Sequence, residues 1–258
     1  MINALAQGLL GGALIATCSG GLSAGPLPIG FVYLRAIAPE IAQEMRYFGP
    51  FNFVGSPIDG YEAPECILTQ AAAEALKAVQ AEAQQAGLRL KVFDCYRPAR
   101  AVAHFVRWSQ DSADQRMKVA FYPHVDKADF FRLGYVAERS GHSRGSTVDL
   151  ILASLTAADE RATPSADQPL VDCTAPFAER YPDSDLDFGT GFDCMDPLSH
   201  PDNDQVSAEA QANRARLADL MMRHGFKPLA EEWWHFTLKD EPFPETYFDF
   251  PVSAPDGG

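Results

Sequence analysis

The stretch Thr69–Pro98, TQAAAEALKAVQAEAQQAGLRLKVFDCYRP, decides the fold class. Thr69 is a helix-capping residue type, Ala72, Leu76, Val79 and Ala83 recur on one stripe, and Gly87 stands where a helix stops. This half reads as an amphipathic helix lying on a sheet. Leu88-Arg89-Leu90-Lys91-Val92 then alternates apolar with basic, the period-two pattern of a strand with one buried face. Pro98 suits the first turn of the following helix, which leaves Arg97 at a strand-to-helix junction, a common border of functional sites.

Working outward, Thr147–Leu152 (TVDLIL) reads as a buried strand carrying one carboxylate, Asp149, which is costly there unless it is paired. Ser207–His224, closed by Gly225, is a second amphipathic helix, and the chain then runs from Phe226 into a strand near Phe236. Helices and strands interleave without the regular alternation of a doubly wound sheet. The expectation is therefore an α+β fold, a single domain with a mainly antiparallel sheet flanked by helices. Residues 153–190, rich in Asp, Pro, Ser and Thr, read as an irregular excursion, and residues 251–258 as a flexible tail.

Composition narrows the function. A chain of 258 residues with 47% hydrophobic and 22% charged residues is an ordinary globular protein with room for a core. Its formal charge of −14 opposes both nucleic-acid phosphates and anionic lipid, so neither is an expected partner. Residues 1–24 contain no Asp, Glu, Lys or Arg and hold an apolar run from about Leu9 to Ala16, too short to span a bilayer. They read as an export leader, with two exits left open: cleavage after Leu22-Ser23-Ala24, or lipid anchoring at Cys18. The expected location is the periplasm or cell envelope. Beyond Cys18 four cysteines remain, Cys66, Cys95, Cys173 and Cys194, an even number that suits an oxidising compartment. Of three connectivities, the sequence neighbours Cys66 with Cys95 and Cys173 with Cys194 are the expected pairs; four buried thiols are the alternative. None has C-x-x-C spacing, so metal is sought elsewhere.

Six histidines are present, and most are expected to be satisfied surface or core residues. His142 differs, because Ser140-Gly141-His142-Ser143-Arg144-Gly145-Ser146-Thr147-Val148-Asp149 sets an imidazole on a glycine-bearing loop seven residues before a strand carboxylate. With His235 from Glu231-Glu232-Trp233-Trp234-His235-Phe236, the set becomes two imidazoles and a carboxylate, which suits Zn2+ with a fourth position left for water. Glu232 lies three residues before His235, so a bend is required for both to reach one point. A carboxylate placed there can take a proton from water on a metal and pass it to a leaving amine. Trp233 and Trp234 either wall the site or simply pack the core.

The blocks DCYRP around Arg97, SGHSRGSTVDL around His142 and Asp149, FGTGFD ending at Asp193 and EEWWHF around His235 closely resemble D-alanyl-D-alanine dipeptidases of the VanX type, a branch of the zinc D,D-peptidases. The resemblance covers roughly residues 30–250. It implies one Zn2+ per chain held by His142, Asp149 and His235, Glu232 as general acid/base, Arg97 facing the developing oxyanion, and Ser140 and Asp193 near the substrate. Asp193 would pair with a free substrate ammonium. The implied reaction is hydrolysis of a small D,D-dipeptide. Two rival readings stay open: a D,D-carboxypeptidase or endopeptidase acting on peptidoglycan stems, and a non-catalytic, zinc-stabilised module that binds cell-wall peptides.

Overall fold

The computed structural model describes residues 26–157 and 169–255. The leader with Cys18, residues 158–168 of the excursion and the last three residues lie outside the described residues.

In chain order the elements are β1 (Phe31–Tyr33), α1 (Leu34–Ile37), β2 (Ala42–Gln43), β3 (Ile67–Thr69), α2 (Gln70–Gln85), β4 (Leu88–Asp94), α3 (Ala99–Gln110), α4 (Lys118–Phe121), α5 (Phe130–Leu133), β5 (Thr147–Ser154), α6 (Ala208–Arg223), β6 (Phe226–Pro228) and β7 (His235–Leu238). The fold is mixed α+β. Its main sheet has the order β2-β4-β5-β7-β6, parallel only between β2 and β4, and β1 pairs with β3 in a small antiparallel ribbon.

The local reasons are those of the sequence. Thr69 caps α2 by accepting a hydrogen bond from the Ala72 amide at 3.3 Å, and Ser207 caps α6 by accepting from Ala210 at 3.1 Å. Leu76 and Val79 of α2 and Leu217 and Met221 of α6 share one core with Leu90, Val148, Leu150 and Leu152. Pro98 sits one position earlier than expected, at the cap of α3 rather than inside its first turn. The described part of 153–190 forms neither helix nor strand after Ser154.

Strand alternation sends Val148, Leu150 and Leu152 to one face of β5 and Asp149 to the other. In register, Asp149 lies opposite His235 on β7 and opposite Asp94 on β4. Val92 already faces Leu150, so Asp94, two residues on, would point to the same face as Val92 in a regular strand. The pairing shifts between Val92 and Asp94, and this bulge re-aims Asp94 onto the face of Asp149. Three polar side chains thus stand in a row across three adjacent strands.

The expected flexible tail is corrected at its beginning. Val252 is fully buried and forms a bridge with Tyr61; its amide donates to Gly60 O at 2.8 Å, and its carbonyl accepts from Glu62 at 2.8 Å and Ala63 at 2.9 Å. Just upstream, Phe250 stacks on Tyr96 with ring centroids 4.0 Å apart, and the Phe248 amide donates to Ser143 O at 2.8 Å. Aromatic burial holds a segment whose Pro and Gly content alone looks loose. Val252→Asp would bury an unpaired carboxylate in this seam. It should lower the unfolding free energy by about 3 kcal/mol or more, read by denaturant titration.

Candidate active site

The loop before β5 is built to present His142. Ser140 accepts a hydrogen bond from the His142 amide at 3.3 Å and so caps a single tight turn, Gly141–Arg144. Gly145 ends that turn at φ +81, and a Cβ there would come within 2.2 Å of the Phe31 ring, so only glycine fits. The imidazole is buried, with Nδ1 2.7 Å from Cys95 O and 3.3 Å from Asp94 Oδ2. A proton held on Nδ1 by these acceptors leaves the Nε2 lone pair free to face the site.

His142 Nε2 lies 3.3 Å from His235 Nδ1 and 3.3 Å from Asp149 Oδ2, and His235 Nδ1 lies 3.1 Å from Asp149 Oδ1. Three donors on a tetrahedral ion with bonds of about 2.0–2.1 Å would be separated by about 3.3 Å, so the observed triangle fits a zinc-sized cation. Asp149 Oδ1 is buried and has no hydrogen-bond donor in suitable geometry, as expected of an atom that serves a metal. Among the described residues, this is the one cluster of three or more His, Cys, Asp or Glu side chains with such convergence.

The electrostatics agree with that geometry. Burial opposes ionisation of Asp149, but the imidazoles of His142 and His235 outweigh it and hold the carboxyl well below its usual range. Burial likewise opposes protonation of His235, yet the close carboxylates of Asp149 and Glu232 push its pKa up to about 9. Both shifts favour a positive charge beside the Asp149 carboxylate.

The required bend before His235 is present. Trp233 and Trp234 form a turn ahead of β7, with the His235 amide 3.3 Å from Glu232 O, and Glu232 Oε2 comes to 3.2 Å from His235 Nδ1. The two indoles part company. Trp234 lines the site cavity, whereas Trp233 stacks on Phe188 with centroids 4.6 Å apart and donates to Thr190 Oγ1 at 2.9 Å. Trp233 is core.

Arg97 follows β4, beside the cluster of His142, Asp149 and His235. Its Nε donates to Asp94 Oδ2 at 2.9 Å, Nη2 lies 3.6 Å from Asp149 Oδ2, and the guanidinium stands 5.1 Å from the ring centroids of Tyr47 and Phe105. Asp193 is buried on the opposite wall and accepts a hydrogen bond from the Tyr47 hydroxyl at 2.8 Å. Burial, with Asp149 and Glu232 nearby, raises its pKa well above the usual range. Arg97, Ser140, Asp149, Asp193, Glu232 and His235 all line one cavity of about 240 Å³, with Val102, Phe105, Val136 and Met195 as apolar wall. A larger cavity of about 320 Å³ lies beyond Phe192 among Phe51, Phe121 and Tyr181, away from the histidines.

Cys66 is bonded to Cys95 and Cys173 to Cys194. The remaining four histidines lie elsewhere: His104 accepts from the Asp59 amide at 3.2 Å, His124 pairs with Asp196 at 2.8 Å, His224 with Glu82 at 2.7 Å, and the His200 carbonyl accepts from Arg214 at 2.8 Å. Sequence reasoning missed Asp94, Tyr47 and Tyr61. The Tyr61 hydroxyl donates to Asp94 Oδ1 at 2.6 Å, so that carboxylate is shared by Tyr61, Arg97 and His142. Asp94 opens the DCYRP block and could have been found there. The tyrosines carry no local signal.

With this geometry in place, comparison with known proteins is informative. The profile of the family described as D-ala-D-ala dipeptidase matches residues 28–160 and 183–253. A D-alanyl-D-alanine dipeptidase of Streptomyces coelicolor is 41% identical over 86% of this chain and 98% of its own length. One from Enterococcus faecium is 35% identical over 88% of this chain and 100% of its own, and one from Enterococcus faecalis 37% over 87% and 98%. On a profile match of this extent and relatives covered almost end to end, the chain belongs to the D-ala-D-ala dipeptidase family.

Proposed function

We propose that the protein is a zinc-dependent dipeptidase that hydrolyses D-alanyl-D-alanine or a close D,D-dipeptide, with Glu232 as general acid/base. The observation that carries this reading is the triangle of His142, Asp149 and His235, with an ionisable carboxylate beside it and a small enclosed cavity in front. A purely structural metal site has four protein ligands and needs no base. Relatives sharing 35–41% of their residues with this chain bear the matching name.

His142, Asp149 and His235 would hold a cation, which would supply Lewis-acid activation of a water and of the scissile carbonyl. Glu232 is placed to accept that water's proton and to return it to the departing amine. Arg97, buried beside Asp94 and always charged, faces the carbonyl oxygen as negative charge develops. Asp94 orients both Arg97 and the His142 ring, so one buried carboxylate aligns an electrophile and a metal ligand together. Asp193 accepts the substrate ammonium, whose charge restores the ionised form that burial disfavours. Ser140 borders the substrate from the His142 loop. A cavity of about 240 Å³ with Val102, Phe105, Val136 and Met195 on its apolar wall admits a short peptide of small side chains. The charge-free leader and the two disulfides support a location outside the cytoplasm.

Arg97→Ala should lower kcat by about 10²–10³-fold with zinc retained, as measured by D-alanine release alongside metal analysis; a near-normal rate would contradict its role. Glu232→Gln should abolish turnover while the protein still binds one zinc. Because His235 carries a proton up to about pH 9 in the metal-free cluster, Zn2+ must displace it. Calorimetric titration of apoprotein at about pH 7.5, in buffers of different ionisation enthalpy, should show about one proton released per zinc, with affinity weakening as pH falls. Absence of proton release would count against the cluster as the binding site.

A further inference from the structure

We propose that the Cys173–Cys194 disulfide is a positioning element for substrate recognition: it clamps the turn that carries Asp193 and thereby sets the demand for a free substrate ammonium. This rests on the reading of Asp193 given above.

Asp193 is the one non-glycine residue with positive φ among the described residues, at +58. A left-handed backbone in a residue with a Cβ persists where the surroundings over-determine it. No helix or strand carries residues 188–196 apart from a short turn starting at Pro197, so the position of Asp193 depends on individual tethers. The Gly191 amide donates to Cys173 O at 2.9 Å, the Phe192 amide to Asp183 Oδ2 at 2.8 Å, and the Met195 amide to Phe121 O at 2.7 Å. Cys194, immediately after Asp193, is covalently joined to Cys173 with Cα atoms 5.7 Å apart. Cys173 therefore grips the turn twice, through its carbonyl at Gly191 and through its sulfur at Cys194.

The carboxylate needs such a grip. It is buried and lines the same cavity as Asp149 and Glu232. Its side chain is held there by a single hydrogen bond, from the Tyr47 hydroxyl. Cys173 lies in the part of the chain that the family profile leaves unmatched, whereas Asp193 and Cys194 lie in the matched part. The other disulfide lies on the metal side of the site, since Cys95 O accepts from His142 Nδ1. The two covalent links thus bear on separate halves of one site, and cutting them has separable consequences.

The test uses the full chain loaded with Zn2+, and compares D-Ala-D-Ala with N-acetyl-D-Ala-D-Ala. Cys173→Ala, Cys194→Ala and the double variant should each raise KM for the free dipeptide by about tenfold or more with little change in kcat. They should leave the rate on the acetylated peptide and the zinc content where they were, so that preference for the free amine falls. The double variant should match either single one. If the variants do not fold, the wild-type protein can be opened by a phosphine, which is oxidised as the disulfide becomes two thiols, and alkylation mapping identifies the pair that opened. Unchanged KM and unchanged preference in protein lacking the bond would overturn the clamp, as would a joint loss of zinc and kcat. Asp193→Asn separates the two ideas. If it leaves the preference intact, the ammonium assignment fails; if it abolishes the preference and Cys173→Ala does not, the clamp alone fails.

Discussion

A carboxylate kept ionised in the middle of a buried strand is the constraint from which the rest of the site follows. Asp149 has almost no exposure to water and sits on β5 with strands on both sides. A charge in that position requires compensation, and it comes as imidazole from His235 on β7 and from His142 on the loop before β5, and as guanidinium from Arg97 just after β4. Even so, one oxygen is left without a hydrogen-bond donor. The cluster is consistent with a place that protein groups alone do not complete, which is the physical meaning of a metal site.

Two hydrophobic cores surround that cluster. The helices α2 and α6 pack with Val148, Leu150 and Leu152 in one, while Tyr47, Phe53, Tyr61, Phe105 and Trp108 build the second. Arg97 lies between the two worlds, its guanidinium over Tyr47 and Phe105 and its nitrogens on Asp94. Packing of this kind keeps a long cationic side chain in one rotamer, so the charge is aimed before any ligand arrives.

Much of this was legible in the sequence, for reasons that can be named. The α2 helix and β4 announce themselves because cap, stripe, stop and alternation follow each other within thirty residues, and α6 carries the same signs. His142, Asp149 and His235 could be grouped by donor chemistry, and the bend at Glu232 could be required before it was seen. What stayed hidden depends on register and on long-range contact. The β4 bulge that turns Asp94 toward Asp149 leaves no mark in an ordinary alternating strand. Tyr47 and Tyr61 reach Asp193 and Asp94 from loops, 146 and 33 residues away in sequence. The tail after Phe250 looked loose because its proline and glycine content outweighs its single valine, yet that valine fills a seam beside Tyr61. Trp233 and Trp234 are adjacent and chemically alike, and both are buried in one core, yet only Trp234 also borders the cavity.

The row formed by Asp94, Asp149 and His235 across β4, β5 and β7 has one more implication. Side chains on a strand change face with every residue, so a pairing error of a single step would point Asp149 into the aliphatic layer and bring Val148 or Leu150 to the row in its place. Such a slipped sheet could retain most of its hydrogen bonds and still be unable to chelate anything. The register of the three central strands and the convergence of the donors are therefore a single specification: the sheet cannot satisfy one without the other.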